Sequence, residues 1–563
     1  MLLLPLQELS GIIHADIRHK QLECILQILH SNGDTLNQGW PLVLGVIGAI
    51  SNEQGENLIR LAFQSLQLVV TDFLPTMPCS CLQVCVDVAG RFGLQTRELN
   101  ISLTAIGLLW NISDYFSQNH ERIVGELAGE PGGGSEGELT LPPYDALWMS
   151  VFLRLGELCV DQRPAVRKSA GQTLFSTITT HGALLQPHTW QTVLWKVLFP
   201  LLDNVKKLSA IASGRRDDTN EENILMHHSR DTAQKQWAET QVLTLAGVAR
   251  VFYSHRTELQ QLGDFPRAWV LLLEYIEVAA LCKNGEVSLA ALKSFQEILH
   301  PNGVTTPDTP HGDPTKGPLP KLDPVPRMAG DHSIPKDLGK VTKICAGDPD
   351  EEAALWSTAW RVWLSIGTAA TTPPAPTEDK SQLYIPSQAF LTSLVMIFPA
   401  LYQHIKHRFV VADLLKLSSV LQRALTVPVH SDSSPFIIPI GEVTLTALQS
   451  AILAAIKEVM LGSENIQVMY PEVFHQLLTY VEYTVKPPKF GKVEAKSVSA
   501  VKGTQADWVA MNYVPFAEAI VGMVTELYRA TAKHPSVIHG HVLQNIVKVR
   551  LLFHYADYIF VTS

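Results

Sequence analysis

Cysteine is scarce in this 563-residue chain, and the seven present have no framework spacing. That excludes a disulfide-stapled secreted domain and points to a reducing compartment. A membrane span is also missing. The longest apolar runs, such as 40–50, fall well short of the about 20 residues that a bilayer requires. The start, Met1-Leu-Leu-Leu-Pro5, has no basic n-region, and Gln7 and Glu8 follow its apolar run at once, so it does not read as a signal peptide. Positive charge is in deficit: 44 basic against 54 acidic residues give a net charge of −10, which argues against nucleic acid as the main ligand and against adsorption to anionic lipid. A cytosolic chain, at most peripheral to membranes, is the expectation.

Strand-like alternation is nearly absent. Phe436-Ile-Ile-Pro-Ile440 is the one short β-like run, and its proline demotes it. Helical periodicity is present instead from end to end. In 161–178, Val166, Ala170, Leu174 and Ile178 recur every four residues and form one apolar stripe. Pro164 falls in the first turn, where its missing N–H costs nothing, with Asp161 expected as the N-cap. The preceding segment carries its own stripe at Leu147, Val151, Leu155 and Leu158. Two such helices cannot bury both stripes alone and must stack on neighbours. The fold class predicted is therefore all-α, a HEAT/armadillo-like α-solenoid of stacked helix pairs interrupted by disordered loops. Helices are expected near 17–30, 38–51, 55–73, 79–92, 97–116, 144–160, 164–181, 187–207, 232–254, 265–282, 286–299, 352–366, 386–405, 409–424, 441–460, 471–484, 507–531 and 535–549.

Breaks in the pattern set the domain organisation. Residues 126–142 form a Gly-rich acidic loop and 211–231 a charged insertion. Residues 301–350 hold ten of the 34 prolines with few aliphatics, too little apolar surface to offset ordering entropy. The reading is an amino-terminal helical lobe over 1–300, a disordered Pro-rich linker over 301–350, and a carboxy-terminal helical lobe over 351–563. A smaller break covers 368–382. The apolar ends, Leu2-Leu3-Leu4 and Tyr555 to Ser563, lack the polar face of a terminal repeat, so a truncated product or a fragment of a longer protein is expected.

No catalytic, cofactor-binding or metal-ligating residue is assigned, and no cofactor. Gly133-Gly-Ser135-Glu-Gly137 spells the G-x-S-x-G nucleophile elbow, but no strand precedes it, and the elbow needs a strand-to-helix turn. Cys79, Cys81 and Cys85 have no second pair to complete a zinc site, and Cys81 and Cys85 share a helix face with Val88 and Ala89, which predicts buried core thiols. His227 and His228 point apart on a helix and suit no metal. Lys206, Lys207, Arg215 and Arg216 make the best basic patch, read as a solvated helix end. Trp110, Trp148, Trp190, Trp195, Trp237, Trp269, Trp356, Trp360 and Trp363 are expected in the core. The sequons at Asn100 and Asn111 lie in a predicted helix and are dismissed.

The helix from Leu99 to Phe116, with Asn100, Gly107, Trp110 and Asp114, resembles the HEAT-like tail of the large Arf exchange factors of the BIG and GBF type. The block Gln236-Trp237-Ala-Glu-Thr240-Gln-Val-Leu243 resembles a helix opening another repeat there. The likeness is greatest to the non-exchanging Mon-two family, in its carboxy-terminal portion. It implies a non-catalytic scaffold in vesicle-mediated protein transport from endosomes to the Golgi. It implies a place at trans-Golgi network and early endosome membranes and, as partners, Dopey-family proteins, a phospholipid flippase and Arf-like GTPases, the last through regions missing here. Helix packing is expected to account for the four matching residues. Two other readings stay open: a HEAT-repeat transport receptor or phosphatase-type scaffold, and an Arf exchange-factor fragment. The second is opposed by the absence of the exchange factors' Phe-Arg-Leu-Pro-Gly-Glu motif.

Overall fold

A computed structural model describes residues 3–12, 14–51, 54–128, 141–214, 232–300, 349–372, 386–426, 445–462, 466–484 and 513–549. No strand occurs among them. The helices are α1 (Leu4–Glu8), α2 (Ala15–Asn32), α3 (Trp40–Ile47), α4 (Glu56–Leu68), α5 (Leu82–Leu94), α6 (Leu99–Gln118), α7 (His120–Leu127), α8 (Pro143–Leu158), α9 (Pro164–His181), α10 (Pro187–Val193), α11 (Phe199–Gly214) and α12 (Ala233–Ser254). They continue as α13 (Arg256–Leu259), α14 (Phe265–Ala280), α15 (Gly285–Leu299), α16 (Pro349–Thr371), α17 (Gln388–Ile405), α18 (Val411–Thr426), α19 (Ala447–Gly462), α20 (Ile466–Glu482), α21 (Val514–Thr531), α22 (Pro535–His539) and α23 (542–549).

Local chemistry starts these helices where it should. Prolines open α8, α9, α10 and α14 at positions where a backbone donor would be orphaned anyway. Thr232, Asn284 and Ser387 cap α12, α15 and α17 through side-chain oxygens. The start of α9 differs from expectation: Arg163 is its N-cap residue, and the Asp161 carboxylate accepts the Arg163 N–H at 2.8 Å from two positions upstream. Two expected helices are interrupted by π-helical turns, Val69–Phe73 after α4 and Leu194–Leu198 between α10 and α11. Two others run through an interior proline, Pro399 in α17 and Pro471 in α20. The helices expected from 441 and 507 are described from Ala447 and Val514, and residues 441–444 and 507–512 lie outside the described residues. The β-like run at 436–440 lies outside the described residues.

Helices stack in two layers. One runs α1, α3, α5, α8, α10 and later α14, α16, α18 and α20; the other runs α2, α4, α6, α9, α12, α15, α17 and α19. Each pair, such as α5/α6, α8/α9 and α14/α15, places one helix in each layer. This is an α-solenoid, and its core is continuous: one apolar cluster extends from Leu22 to Val549. Both sequence-read stripes lie inside it, with Val166, Ala170, Leu174 and Ile178 all 0 % exposed. Residues 301–348 lie outside the described residues. The helices flanking them nevertheless pack on one another, α14 on α16 and α15 on α17, so a seam joins the two stretches that the sequence reading set apart as lobes.

The seams share one polar device. A buried or half-buried arginine crosses from one helix to the carbonyl end of another. Arg18 on α2 donates to Ala49 O beyond α3 at 2.7 Å. Arg163 donates to Gln95 O at 2.7 Å and Gly93 O at 3.1 Å, at the end of α5. Arg167 differs in donating to the Asp161 and Gln162 carbonyls of the α8–α9 turn at 2.8 and 2.9 Å, while its Nε reaches Thr240 of α12 at 3.0 Å. Arg256 donates to Ile298 O and to His300 O at the end of α15. The last four carbonyls of a helix have no partner within it, and its dipole makes that end negative, so a guanidinium with five donors suits it. Burial lowers the Arg256 pKa only to about 10, which leaves the cation charged at neutral pH.

Two consequences are measurable. Ala170→Asp puts an unpaired carboxylate in a fully buried seam and should cost more than about 3 kcal/mol in urea unfolding; a loss below about 1 kcal/mol on the same scale would contradict the packing. The second concerns His404. Its Nε2 lies 3.2 Å from Leu299 O and so carries the proton, while Nδ1 is buried without a partner. Burial holds its pKa down at about 4, with the Arg256 cation nearby adding to the effect. The folded pKa is therefore below the ordinary histidine value of about 6.5, and the stability it contributes is complete above that value and is lost as pH falls towards 4. Denaturation midpoints should fall over this window, and less steeply in His404→Phe; an unchanged slope in that variant would refute the assignment.

Candidate partner-binding surface

The residues singled out for metal or nucleophile chemistry do not converge. Ser135, His227, His228, Arg215 and Arg216 lie outside the described residues. Cys79, Cys81 and Cys85 are buried, as the spacing implied. Burial, with Glu126 bonded beside it, pushes the Cys79 thiol up to about 12, and burial does the same to Cys85. Such thiols are poor nucleophiles and poor ligands. No group of His, Cys, Asp or Glu among the described residues could hold a metal ion, and no described helix is long and apolar enough to cross a membrane. Lys206 lies 5.7 Å over the Tyr275 ring and Lys207 pairs with Asp203 at 2.5 Å, within a mixed-charge helix surface.

The four α6 residues behave differently from expectation. Asn100 and Gly107 are exposed, and Trp110 and Asp114 are half-buried. Their spacing of three, four and seven residues aligns them on the side of α6 turned away from the core. Packing on α9 accounts in part for Trp110, whose ring lies 5.8 Å from that of His181, but not for the exposed Asn100 and Gly107. Trp195, also expected in the core, is likewise half-buried, with its N–H on Asp264 and the Arg267 guanidinium 4.7 Å over its ring.

A surface groove of about 500 Å³ runs between α6 and α9. Its walls are Thr104, Leu108, Trp110 and Asn111 on one side and Gln172, Thr173 and Ser176 on the other, with Gly107 between. A Cβ built at Gly107 would meet nothing within 4 Å. Glycine in a helix interior costs about 0.5–1 kcal/mol relative to alanine, and here no neighbour requires it. The missing side chain leaves the α6 backbone uncovered at the groove. No lining residue is charged. Beneath the groove, His181 sits between the Trp110 and Trp148 rings, at 5.8 and 5.3 Å, and desolvation lowers its pKa, so it too is neutral. A half-buried tryptophan amid uncharged hydrogen-bonding side chains has the composition of a protein interface core, where charge is depleted and aromatics are enriched.

Residues 71–556 match the family described as the C-terminal region of Mon2 protein, and residues 1–68 match Mon2/Sec7/BIG1-like, HDS. The chain belongs to the Mon2 C-terminal family. This is the family to which the α6 and Gln236–Leu243 motifs, shared with the BIG and GBF tails, show the greatest likeness. Among curated relatives, Protein MON2 homolog of Homo sapiens is 54 % identical over 97 % of this chain and 34 % of its own length. The Drosophila melanogaster MON2 homolog is 46 % identical over 97 % of this chain and 32 % of its own. Brefeldin A-inhibited guanine nucleotide-exchange protein 2 of Arabidopsis thaliana is 23 % identical over 46 % of this chain and 15 % of its own. The chain thus spans about a third of the length of the MON2 relatives. The Gln236–Leu243 motif holds a seam together. Trp237 stacks on the Arg167 guanidinium at 3.9 Å, and Thr240 Oγ1 accepts from Arg167 Nε at 3.0 Å.

The arginine crossings were missed in the sequence. Their signal is an arginine flanking an apolar stripe at a helix start, as Arg167 does beside Val166. The groove left a signal too: a lone glycine amid a strong helix former such as 99–118.

Paired glycine substitutions test the surface. Gly107→Ala should raise stability by about 0.5–1 kcal/mol, since propensity improves and nothing clashes. Gly247→Ala should lower it, because its Cβ would overlap the Phe175 ring. Equal shifts of the two melting temperatures would contradict the placement of Gly107.

Proposed function

We propose that the chain is a non-catalytic scaffold for membrane trafficking between endosomes and the Golgi, binding protein partners through its solenoid surface. The observation that carries this is the open, uncharged α6–α9 groove in a chain of the Mon2 C-terminal family. A helix-stabilising alanine would be expected at Gly107 if the face met only solvent. The partners proposed are Dopey-family proteins, and with them a phospholipid flippase; engagement of Arf-like GTPases is assigned to other parts of the full-length relatives. Recruitment to trans-Golgi network and early endosome membranes then proceeds through partners. The net charge of −10 repels anionic lipid, and no described helix spans a bilayer.

Flotation with protein-free liposomes of Golgi-like composition tests this. The purified chain should float poorly alone and well once a Dopey-family partner is added. Gly107→Trp should cut the partner-dependent fraction while leaving the melting temperature within a few degrees. Tight binding to liposomes without partner would overturn the proposal, as would nucleotide exchange on an Arf GTPase by this chain.

A further inference from the structure

The seam across residues 301–348 is built like an interface between separate chains. On the first side stand α14 and the end of α15; on the second stand α16 and α17. Trp269 Nε1 donates to Leu355 O at 3.2 Å, and its ring meets the edge of Trp356 at 5.6 Å. Trp356 stacks flat on His404, with ring centroids 3.6 Å apart and planes 12° from parallel. His404 Nε2 returns across the seam to Leu299 O at 3.2 Å. The Ser365 hydroxyl donates to the Glu277 carboxylate. Trp269, Leu299, Leu355 and Trp356 are each 3 % exposed or less. Polar groups on both sides are satisfied only across the seam, which makes separation costly: a bare Trp269 N–H and a bare Leu299 carbonyl would stand beside an exposed aromatic pair.

We propose that α14 and α15 form a preformed docking surface whose partner is the α16–α17 half of the same chain, and that the two halves hold together without the peptide link. The peptide link supplies an effective concentration of at most about millimolar, so association that persists at sub-micromolar concentration after cleavage measures what the seam itself contributes. The buried tryptophan-histidine stack and its crossing hydrogen bonds carry the association. Residues 301–348 are thereby an insertion into one continuous array, and cutting them leaves the scaffold entire.

The test uses the full chain with a site-specific protease sequence placed within 301–348. After cleavage, the fragments should co-elute on size exclusion at the volume of the intact chain, remain together in native mass spectrometry at sub-micromolar concentration, and separate only in denaturant. Trp356→Ala with His404→Ala, cut in the same way, should associate about thirty-fold more weakly or worse. Circular dichroism of the uncut variant distinguishes a lost interface from a lost fold. Separate elution of cleaved wild-type fragments under native conditions would overturn the inference, whatever the variant does. So would cleaved variant halves that bind as tightly as wild type. Flotation with partner is unaffected by either result, so this inference and the trafficking proposal can fail independently.

Discussion

A guanidinium reaching the carbonyl end of a neighbouring helix is the interaction on which the stack depends. Apolar stripes press helices together but fix neither their register nor the fate of their terminal carbonyls. Arg18, Arg163 and Arg256 do both, and Arg167 ties the α8–α9 turn to α12. The partners are backbone oxygens, so the device does not depend on a matching acid elsewhere in the sequence. Arginine suits these seams better than lysine because its planar fork serves two carbonyls at once and its charge survives burial. Arg167 shows how closely this is built: two carbonyls, a threonine hydroxyl and a tryptophan face surround one guanidinium.

With register settled internally, the outward faces are free to vary. The α6–α9 groove is one such face. Its floor is a glycine that the packing does not need, and its walls avoid charge. A solenoid offers many inter-helix furrows. This one keeps a glycine of low helix propensity at its floor.

Much of the architecture was legible in the residues. The four-residue recurrence through Ile178 located α9 to its terminal residues, and the proline at its start did the rest. The π turns were not legible, because an extra residue in a helix leaves the apolar pattern intact on either side. Nor was the seam between α14 and α16. Pro-rich composition reports that 301–350 cannot form a core, but it is silent on whether the flanking helices meet; Trp269 and Trp356 read simply as core residues. The candidate surface was half-legible. The residues Asn100, Gly107, Trp110 and Asp114 stood out as a pattern, while the exposure of Asn100 and Gly107 and the groove that Gly107 and Trp110 share with α9 emerged only from the packing.

The two π turns have a further consequence. Each takes up an extra residue within one widened turn, the first closing α4 and the second joining α10 to α11. Phe73, at the end of the first, lies against Gly33, where a side chain would overlap its ring. Trp195, inside the second, reaches Asp264 and Arg267. These are the places where helix length is negotiable. Removing one residue there would restore ordinary α geometry without lengthening or shortening the stack, and would re-aim a single aromatic side chain. In an array otherwise locked by buried cations, such spare residues are how one surface feature can be moved while its neighbours keep their register.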